Sequence, residues 1–188
     1  MKIYHYTKGC HLKSIFKDGF IATEQKRNTN YFAPFCTDVV WLTESKSVPV
    51  TALPYIPSIP STNLGIRQHF KKISTDYASI EPVIGGFWRF GFDSRNHKFE
   101  KWIFSKARNE AKNRKLVKSM DRIANKVGDN IRLFWISEKD IPLENYTFEY
   151  FSIANNVWTR CDPHTLAFRE ISSGDGYAII VYPYAEAA

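Results

Sequence analysis

The chain of 188 residues lacks several features that define whole classes of protein. It contains no run of about 18 or more apolar residues, so we expect no membrane-spanning helix. Its first ten residues have no apolar stretch of the kind found in a signal peptide. The three cysteines, Cys10, Cys36 and Cys161, form no CxxC pair, which argues against a disulfide framework and a structural zinc site. These absences predict a soluble, cytoplasmic protein with no membrane contact and no bound metal.

The common catalytic motifs are absent as well. The sequence has no P-loop, no GxGxxG, no HExxH and no GxSxG. Walker-type ATPases, Rossmann dehydrogenases, zinc proteases of the HExxH type and α/β-hydrolases are therefore disfavoured.

The length fits a single domain over residues 1–188, and the hydrophobic pattern predicts an α+β fold. Leu12, Ile15 and Phe16 have helical spacing in a predicted helix over Cys10–Lys17, and Gly19 is suited to end it. Strands are predicted at Lys2–Thr7, Phe20–Ala22, Asp38–Thr43, Phe87–Phe92, Ile131–Ser137, Tyr146–Ile153 and Gly176–Tyr182.

Two longer segments interrupt these strands. Ser45–Asn63 contains four prolines and is predicted to be a long loop. His97–Val127 repeats apolar residues at three- and four-residue steps and precedes Gly128, which predicts a large helical insertion, or two helices with a kink.

The basic charge is concentrated in one place. Residues Arg95–Lys126, the basic segment, hold eleven of the 26 Lys and Arg but only three of the 19 Asp and Glu, so the rest of the chain has one more acid than base. Clustered positive charge favours a polyanionic partner, here a nucleic acid, although a solvated helix face is an equal alternative. The candidate nucleic-acid-binding residues are Lys106, Arg108, Lys112, Arg114, Lys115, Lys118 and Arg122.

The N-terminal block carries a family resemblance. His5-Tyr6-Thr7 ends a predicted strand, an apolar helix follows, then Gly19-Phe20-Ile21, and later Val40-Trp41-Leu42-Thr43. Together with Ile131–Phe151, this order resembles the ADP-ribosyltransferase-like superfamily, closest to its DarT-like and RNA- or protein-modifying bacterial toxin members. The resemblance implies a mixed sheet core and NAD as a substrate.

The resemblance also implies roles for individual residues. His5 would be catalytic and would orient a ribose hydroxyl, helped by Thr7. Trp41, or a nearby tyrosine, would stack on the nicotinamide, and Tyr6 and Thr43 would line the same cofactor-binding site. Arg89 and Arg67 would contact the pyrophosphate of NAD. On residue type alone, Arg89 inside an apolar strand needs a partner if it is buried, so a structural ion pair is equally expected.

The catalytic carboxylate is less defined. Many family members carry a Q-x-E or E-x-E pair at the late strand, and this chain has Trp135-Ile136-Ser137-Glu138 there. Glu138 is the expected carboxylate, which would stabilise the cationic transition state. The alternatives are Glu44, Glu81, Glu149 and Glu170.

The function implied is an NAD-dependent ADP-ribosyltransferase that modifies a macromolecule, more often a nucleic acid (RNA or DNA) than a protein. It would act as a toxin or phage-defence effector, with an antitoxin or regulator protein as a partner. The alternatives are an NAD glycohydrolase, an enzyme similar to RNA 2′-phosphotransferases, or a non-enzymatic nucleic-acid-binding module.

Overall fold

The computed structural model describes residues 1–23, 39–49, 86–95, 99–105, 117–118, 121–122, 124–126, 128–152, 157–173 and 176–183. Strands make up most of the regular structure in these ranges, so the fold is a sheet-dominated mixed α+β arrangement. The predicted fold class is therefore confirmed at this level. The proline-rich loop lies outside the described residues beyond Pro49.

A seven-stranded antiparallel sheet is the main element of the described structure. Its strands, in chain order, are β1 (Lys2–Lys8), β3 (Val40–Thr43), β4 (Phe87–Asp93), β5 (Glu100–Lys101), β6 (Phe134–Ser137), β8 (Thr147–Ser152) and β9 (Val157–Arg160). In space their order is β5-β6-β3-β1-β4-β8-β9, so the N-terminal strand lies in the middle. Two small sheets accompany it, formed by β2 (Phe20–Ile21) with β7 (Ile141–Pro142) and by β10 (Leu166–Ser173) with β11 (Gly176–Pro183).

Helix α1 (Gly9–Asp18) follows β1 directly. Its buried residues, Leu12 and Ile15, are three positions apart, so they share the face that packs on the sheet. The helix ends at Gly19, which adopts the left-handed conformation at φ 74° and donates its N–H to the Ile15 carbonyl at 3.0 Å. The predicted helix and its stop are confirmed.

The two faces of the sheet have different surroundings. One face packs with α1 in the main core, where Ile3, Leu42, Phe90 and Phe92 are almost fully buried. Because successive side chains along a strand point to opposite faces of the sheet, the residues next to these in the sequence lie on the other face. That second face holds a polar and aromatic group around Arg89 and a smaller apolar cluster of Val39, Trp102, Val117 and Ile136.

The large helical insertion is not supported. Glu100 and Lys101, inside the predicted helix, form strand β5 and pair with Ile136 and Trp135. Residues 102–105 are helical, as are the described residues between 117 and 126. The strand forms because β6 has an edge whose N–H and C=O groups need partners, a long-range requirement that local periodicity does not reveal.

Candidate functional site

Strands β1 and β3 bring His5 and Trp41 together. The two strands are neighbours in the sheet, and His5 Nδ1 lies 2.9 Å from the Trp41 carbonyl oxygen. A carbonyl oxygen can only accept, so Nδ1 carries the hydrogen of this bond. In the neutral imidazole the lone pair is therefore on Nε2, which is an acceptor but is buried within the protein.

The indole of Trp41 contributes to a different environment. It packs edge-on against Trp102, with ring centroids 4.9 Å apart, and against Phe134 at 6.1 Å. Trp41 is paired with Ile136 and lies on the second face of the sheet. His5 is paired with Phe90 and lies on the opposite face, which packs in the main core. The contact between the two candidate residues thus runs through the main chain of Trp41.

The two candidate threonines are both buried. Thr7 is paired with Trp88 on β4, and Thr43 is paired with Tyr4 on β1. The Thr43 hydroxyl oxygen accepts the N–H of Ser45 at 3.1 Å, which turns the chain immediately after β3.

Tyr6, Arg89 and Glu149 form one row across β1, β4 and β8, because Tyr6 pairs with Arg89 and Arg89 pairs with Glu149. Arg89 Nε donates to Glu149 Oε2 at 2.7 Å, and Nη1 donates to the Lys46 carbonyl at 2.8 Å and more weakly to the Tyr6 hydroxyl at 3.5 Å. Tyr6 in turn donates to the Ser45 carbonyl at 2.7 Å. Burial is the largest influence on the Tyr6 hydroxyl and raises its pKa to about 12, against the opposing effect of Arg89.

The guanidinium of Arg89 is also enclosed by aromatic rings. Its central carbon lies 4.2 Å from the ring centroid of Tyr4 and 4.2 Å from that of Trp158. Arg89 is only 5% exposed, so it is held by the protein's own groups on several sides. The structural ion pair expected for a buried arginine is present, and its partner is Glu149.

Two of the candidate carboxylates differ sharply in their surroundings. Glu138 is exposed in the turn after β6. Glu44, directly after β3, accepts the indole N–H of Trp135 at 2.8 Å and the ammonium of Lys101 at 2.8 Å. Burial favours the neutral form of Glu44, but the bonds from Lys101 and Trp135 outweigh it and hold the pKa below its usual value.

Glu44 is thus an oriented, ionised carboxylate that the sequence identified only as a substitute for Glu138. The feature of the sequence that points to Glu44 is its position immediately after an apolar strand. Its partners Lys101 and Trp135 lie on β5 and β6 and could not be predicted from the sequence. Of the three remaining candidate carboxylates, Glu149 is bound to Arg89, Glu170 lies on β10, and Glu81 is outside the described residues.

Only part of the basic segment lies in the described ranges. Lys118 and Arg122 are exposed, while Val117 and Asp121, which directly precede them in the sequence, are buried. Asp121 accepts the indole N–H of Trp102 at 2.9 Å, which ties this helical stretch to residues 102–105. The other five candidates, Lys106, Arg108, Lys112, Arg114 and Lys115, lie outside the described residues.

Among the described residues, no group of three or more His, Cys, Asp and Glu is arranged to hold a metal ion. In the same ranges, no helix has both the length and the apolar character needed to cross a membrane. Comparison of the chain with protein-family models, with curated proteins and with solved structures finds no match to any of them.

Proposed function

We propose that this protein is an NAD-dependent ADP-ribosyltransferase whose site lies at the His5–Trp41 contact. The observation that carries the proposal is the hydrogen bond of His5 Nδ1 to the Trp41 carbonyl across two neighbouring strands. This bond fixes the tautomer of the neutral ring, so that Nε2 is the acceptor. An acceptor of known orientation is what the binding of a ribose hydroxyl requires. Because Nε2 is buried, the side chains that cover it would have to move to admit the ribose.

The reaction breaks the bond between the nicotinamide nitrogen and the ribose carbon, and nicotinamide leaves with the electron pair. The acceptor atom of the target then forms a bond to that carbon and loses its proton. Positive charge develops on the ribose in between, as it does in glycoside hydrolysis, so a nearby carboxylate stabilises the transition state. Thr7 and Thr43 are the proposed neighbours of the substrate in this scheme, while the hydroxyl of Tyr6 is bonded to the Ser45 carbonyl and to Arg89.

Glu44 is the carboxylate that we favour over Glu138 for this role. Two donors at 2.8 Å orient Glu44 and keep it ionised, whereas Glu138 is exposed in a turn. Comparing Glu44→Gln with Glu138→Gln separates the two assignments, since each change removes the charge and keeps the size of the side chain. Loss of turnover in Glu138→Gln alone would return the role to Glu138.

The proposed target is a nucleic acid, supported by the concentration of positive charge in Arg95–Lys126 and by the exposure of Lys118 and Arg122. Phosphate contacts of this kind supply affinity without reading sequence. An effector of this type, a toxin or a phage-defence protein, needs control in its own cell. An antitoxin or regulator protein is therefore part of the proposal.

The decisive experiment compares His5→Asn with the unchanged chain. An asparagine amide N–H occupies the position of Nδ1 and keeps the bond to Trp41, while Nε2 is lost. We expect His5→Asn to remain folded and to lose transfer of label from NAD to RNA, DNA or cell protein by a factor of about 100 or more. Thermal unfolding monitored by tryptophan fluorescence verifies the fold.

A folded His5→Asn protein with unchanged turnover would remove His5 from the site. His5→Gln is the matched variant for comparison. Its amide lies near the position of Nε2, so it replaces the nitrogen that His5→Asn loses and not the one that bonds Trp41. Release of nicotinamide without transfer of label would identify an NAD glycohydrolase. Nucleic-acid binding without any NAD turnover would identify a non-enzymatic binding module.

A further inference from the structure

The pairing of β1 with β3, which we call the seam, has fewer paired residues than the pairings of β1 with β4 and of β3 with β6. Strand β1 pairs with β4 along its whole length, from Lys2–Asp93 to Lys8–Phe87, and β3 pairs with β6 at all four of its residues. Between β1 and β3, both fully described, the one bridge pair is Tyr4 with Thr43. The seam therefore has few main-chain hydrogen bonds to hold it.

Side chains from β1 and β4 form further hydrogen bonds across the seam, where main-chain hydrogen bonds are few. Tyr6 donates to the Ser45 carbonyl at 2.7 Å and Arg89 donates to the Lys46 carbonyl at 2.8 Å. These two acceptors are consecutive, and both belong to Glu44–Ser47, which we call the strap. The strap is stiffened internally, since Ser45 donates through its hydroxyl to the Ser47 carbonyl at 2.8 Å.

The donors themselves are held in place. Arg89 is paired with Glu149 at 2.7 Å and lies between the rings of Tyr4 and Trp158, each 4.2 Å away. Its position is therefore set by β1, β8 and β9, on the β4 side of the seam. The strap continues from β3, on the other side, so each of these hydrogen bonds connects the two halves of the sheet.

We propose that Tyr6 and Arg89 are positioning residues that form a clasp, which holds the strap and thereby sets the spacing of β1 and β3 where His5 meets Trp41. The clasp follows from the contacts alone. Its effect on NAD turnover rests on the proposed function. Arg89 acts in this account on the protein's own main chain, a role distinct from the pyrophosphate contact expected from the sequence.

Hydrogen–deuterium exchange tests the clasp without any ligand. The variant is Tyr6→Phe, which removes the hydroxyl that bonds Ser45 and keeps the ring. We expect exchange in a peptide covering residues 40–49 to become about tenfold faster, the change in an opening equilibrium when a hydrogen bond of this kind is lost. Exchange in peptides covering β4 and β8 should stay unchanged.

Tyr4→Phe is the matched control, because Tyr4 lies on the same face two residues away and its hydroxyl makes no hydrogen bond within the described residues. Arg89→Lys is the second variant; it keeps the positive charge beside Glu149 but has neither the planar fork nor the stacked guanidinium. Exchange at 40–49 equal to wild type in Tyr6→Phe would overturn the clasp. Faster exchange spread equally over β4 and β8 would do the same, since it would mean general loosening.

Kinetics distinguishes the clasp from the proposed enzyme activity. If NAD is turned over, Tyr6→Phe should raise KM for NAD severalfold, while Tyr4→Phe should not. The reason is that, without the Tyr6 bond, the distance between β1 and β3 at the substrate site is no longer fixed. If wild type turns over no NAD, the enzyme proposal fails, and the exchange result still decides whether the clasp exists.

Discussion

The hydroxyl of Tyr6 lies between the Ser45 carbonyl and the Arg89 guanidinium, and its pKa is raised from 10.0 to about 12. Burial is the principal cause, since the ionised phenolate would lose its hydration. The bond that Tyr6 donates to Ser45 also needs the proton. The folded protein therefore binds this proton more tightly than the unfolded chain does.

This difference predicts how stability depends on alkaline pH. The stabilising contribution is fully present below pH 10, the unfolded pKa, and is lost as the pH rises through the folded value of about 12. A difference of two pKa units corresponds to about 3 kcal/mol. We expect the free energy of unfolding to fall less steeply above pH 10 in Tyr6→Phe than in wild type or Tyr4→Phe. Urea unfolding at a series of pH values measures this, and equal slopes in all three proteins would contradict it.

Arg89 illustrates how far sequence alone could predict single residues. An arginine between apolar neighbours in FWRFGF predicts a buried cation that needs a partner. The partner, Glu149, is likewise an isolated acid among aromatic residues in TFEYF. The two patterns match, but their pairing depends on which strands become neighbours. The Lys46 carbonyl that Arg89 also bonds carries no signal in the sequence, because every residue has a carbonyl group.

Among the elements, helix α1 and its end were predictable because their determinants are local. Gly19 adopts φ 74°, where a side chain is strained, and a Cβ placed there would meet nothing within 4 Å. The effect of substitution is therefore due to the backbone conformation alone. Gly19 also accepts the N–H of Leu143 at 2.9 Å through its carbonyl, next to the pairing of β2 with β7.

We expect Gly19→Ala to destabilise the protein by about 1 kcal/mol, which corresponds to a decrease in Tm of about 2 to 4 °C. Gly19→Asn should have a smaller effect, since asparagine adopts the left-handed conformation more readily. Differential scanning calorimetry compares the two variants. A Gly19→Ala protein as stable as wild type would show that the helix end is not set by this residue.

The elements that the sequence did not predict depend on distant partners. Strand β9 (VWTR) has mostly exposed side chains, and its extended form is specified by pairing with β8. Strand β5 interrupts a helical pattern because the edge of β6 supplies hydrogen-bonding partners for its main chain. The apolar strands β1, β3, β4, β6 and β8 were predicted, because their burial leaves a pattern in the sequence.

On the scale of the whole molecule, the charged residues of the basic segment have two kinds of surroundings. Within the basic segment, Arg95 and Lys101 are paired with Asp93 and Glu44. Lys118 and Arg122 are exposed in a helical stretch. Some cations of the basic segment are therefore exposed and accessible to a partner, and others form ion pairs within the protein.

We expect this segment to bind nucleic acid through phosphates. The logarithm of affinity should fall with the logarithm of salt concentration by about 0.7 for each phosphate neutralised on a single strand. Reversing the charges of Arg114, Lys115 and Lys118 together should weaken binding and reduce that slope by about two units. Fluorescence anisotropy with RNA and DNA oligonucleotides at several salt concentrations measures both quantities.

The matched control reverses three lysines outside the segment, Lys2, Lys13 and Lys139, all of them exposed. This variant has the same net charge but should keep the wild-type slope. Binding that ignores salt, or an equal effect of the two triple variants, would contradict phosphate contacts by the basic segment. A protein target would then be favoured.

The central place of β1 in the sheet has a consequence for synthesis. His5 pairs with Phe90, about 85 residues later in the chain. At roughly 5 to 20 residues per second, a ribosome makes β1 about 4 to 17 s before it makes β4. During that interval the edge of β1 that later pairs with β4 has no partner, so its N–H and C=O groups are open to pairing with another chain.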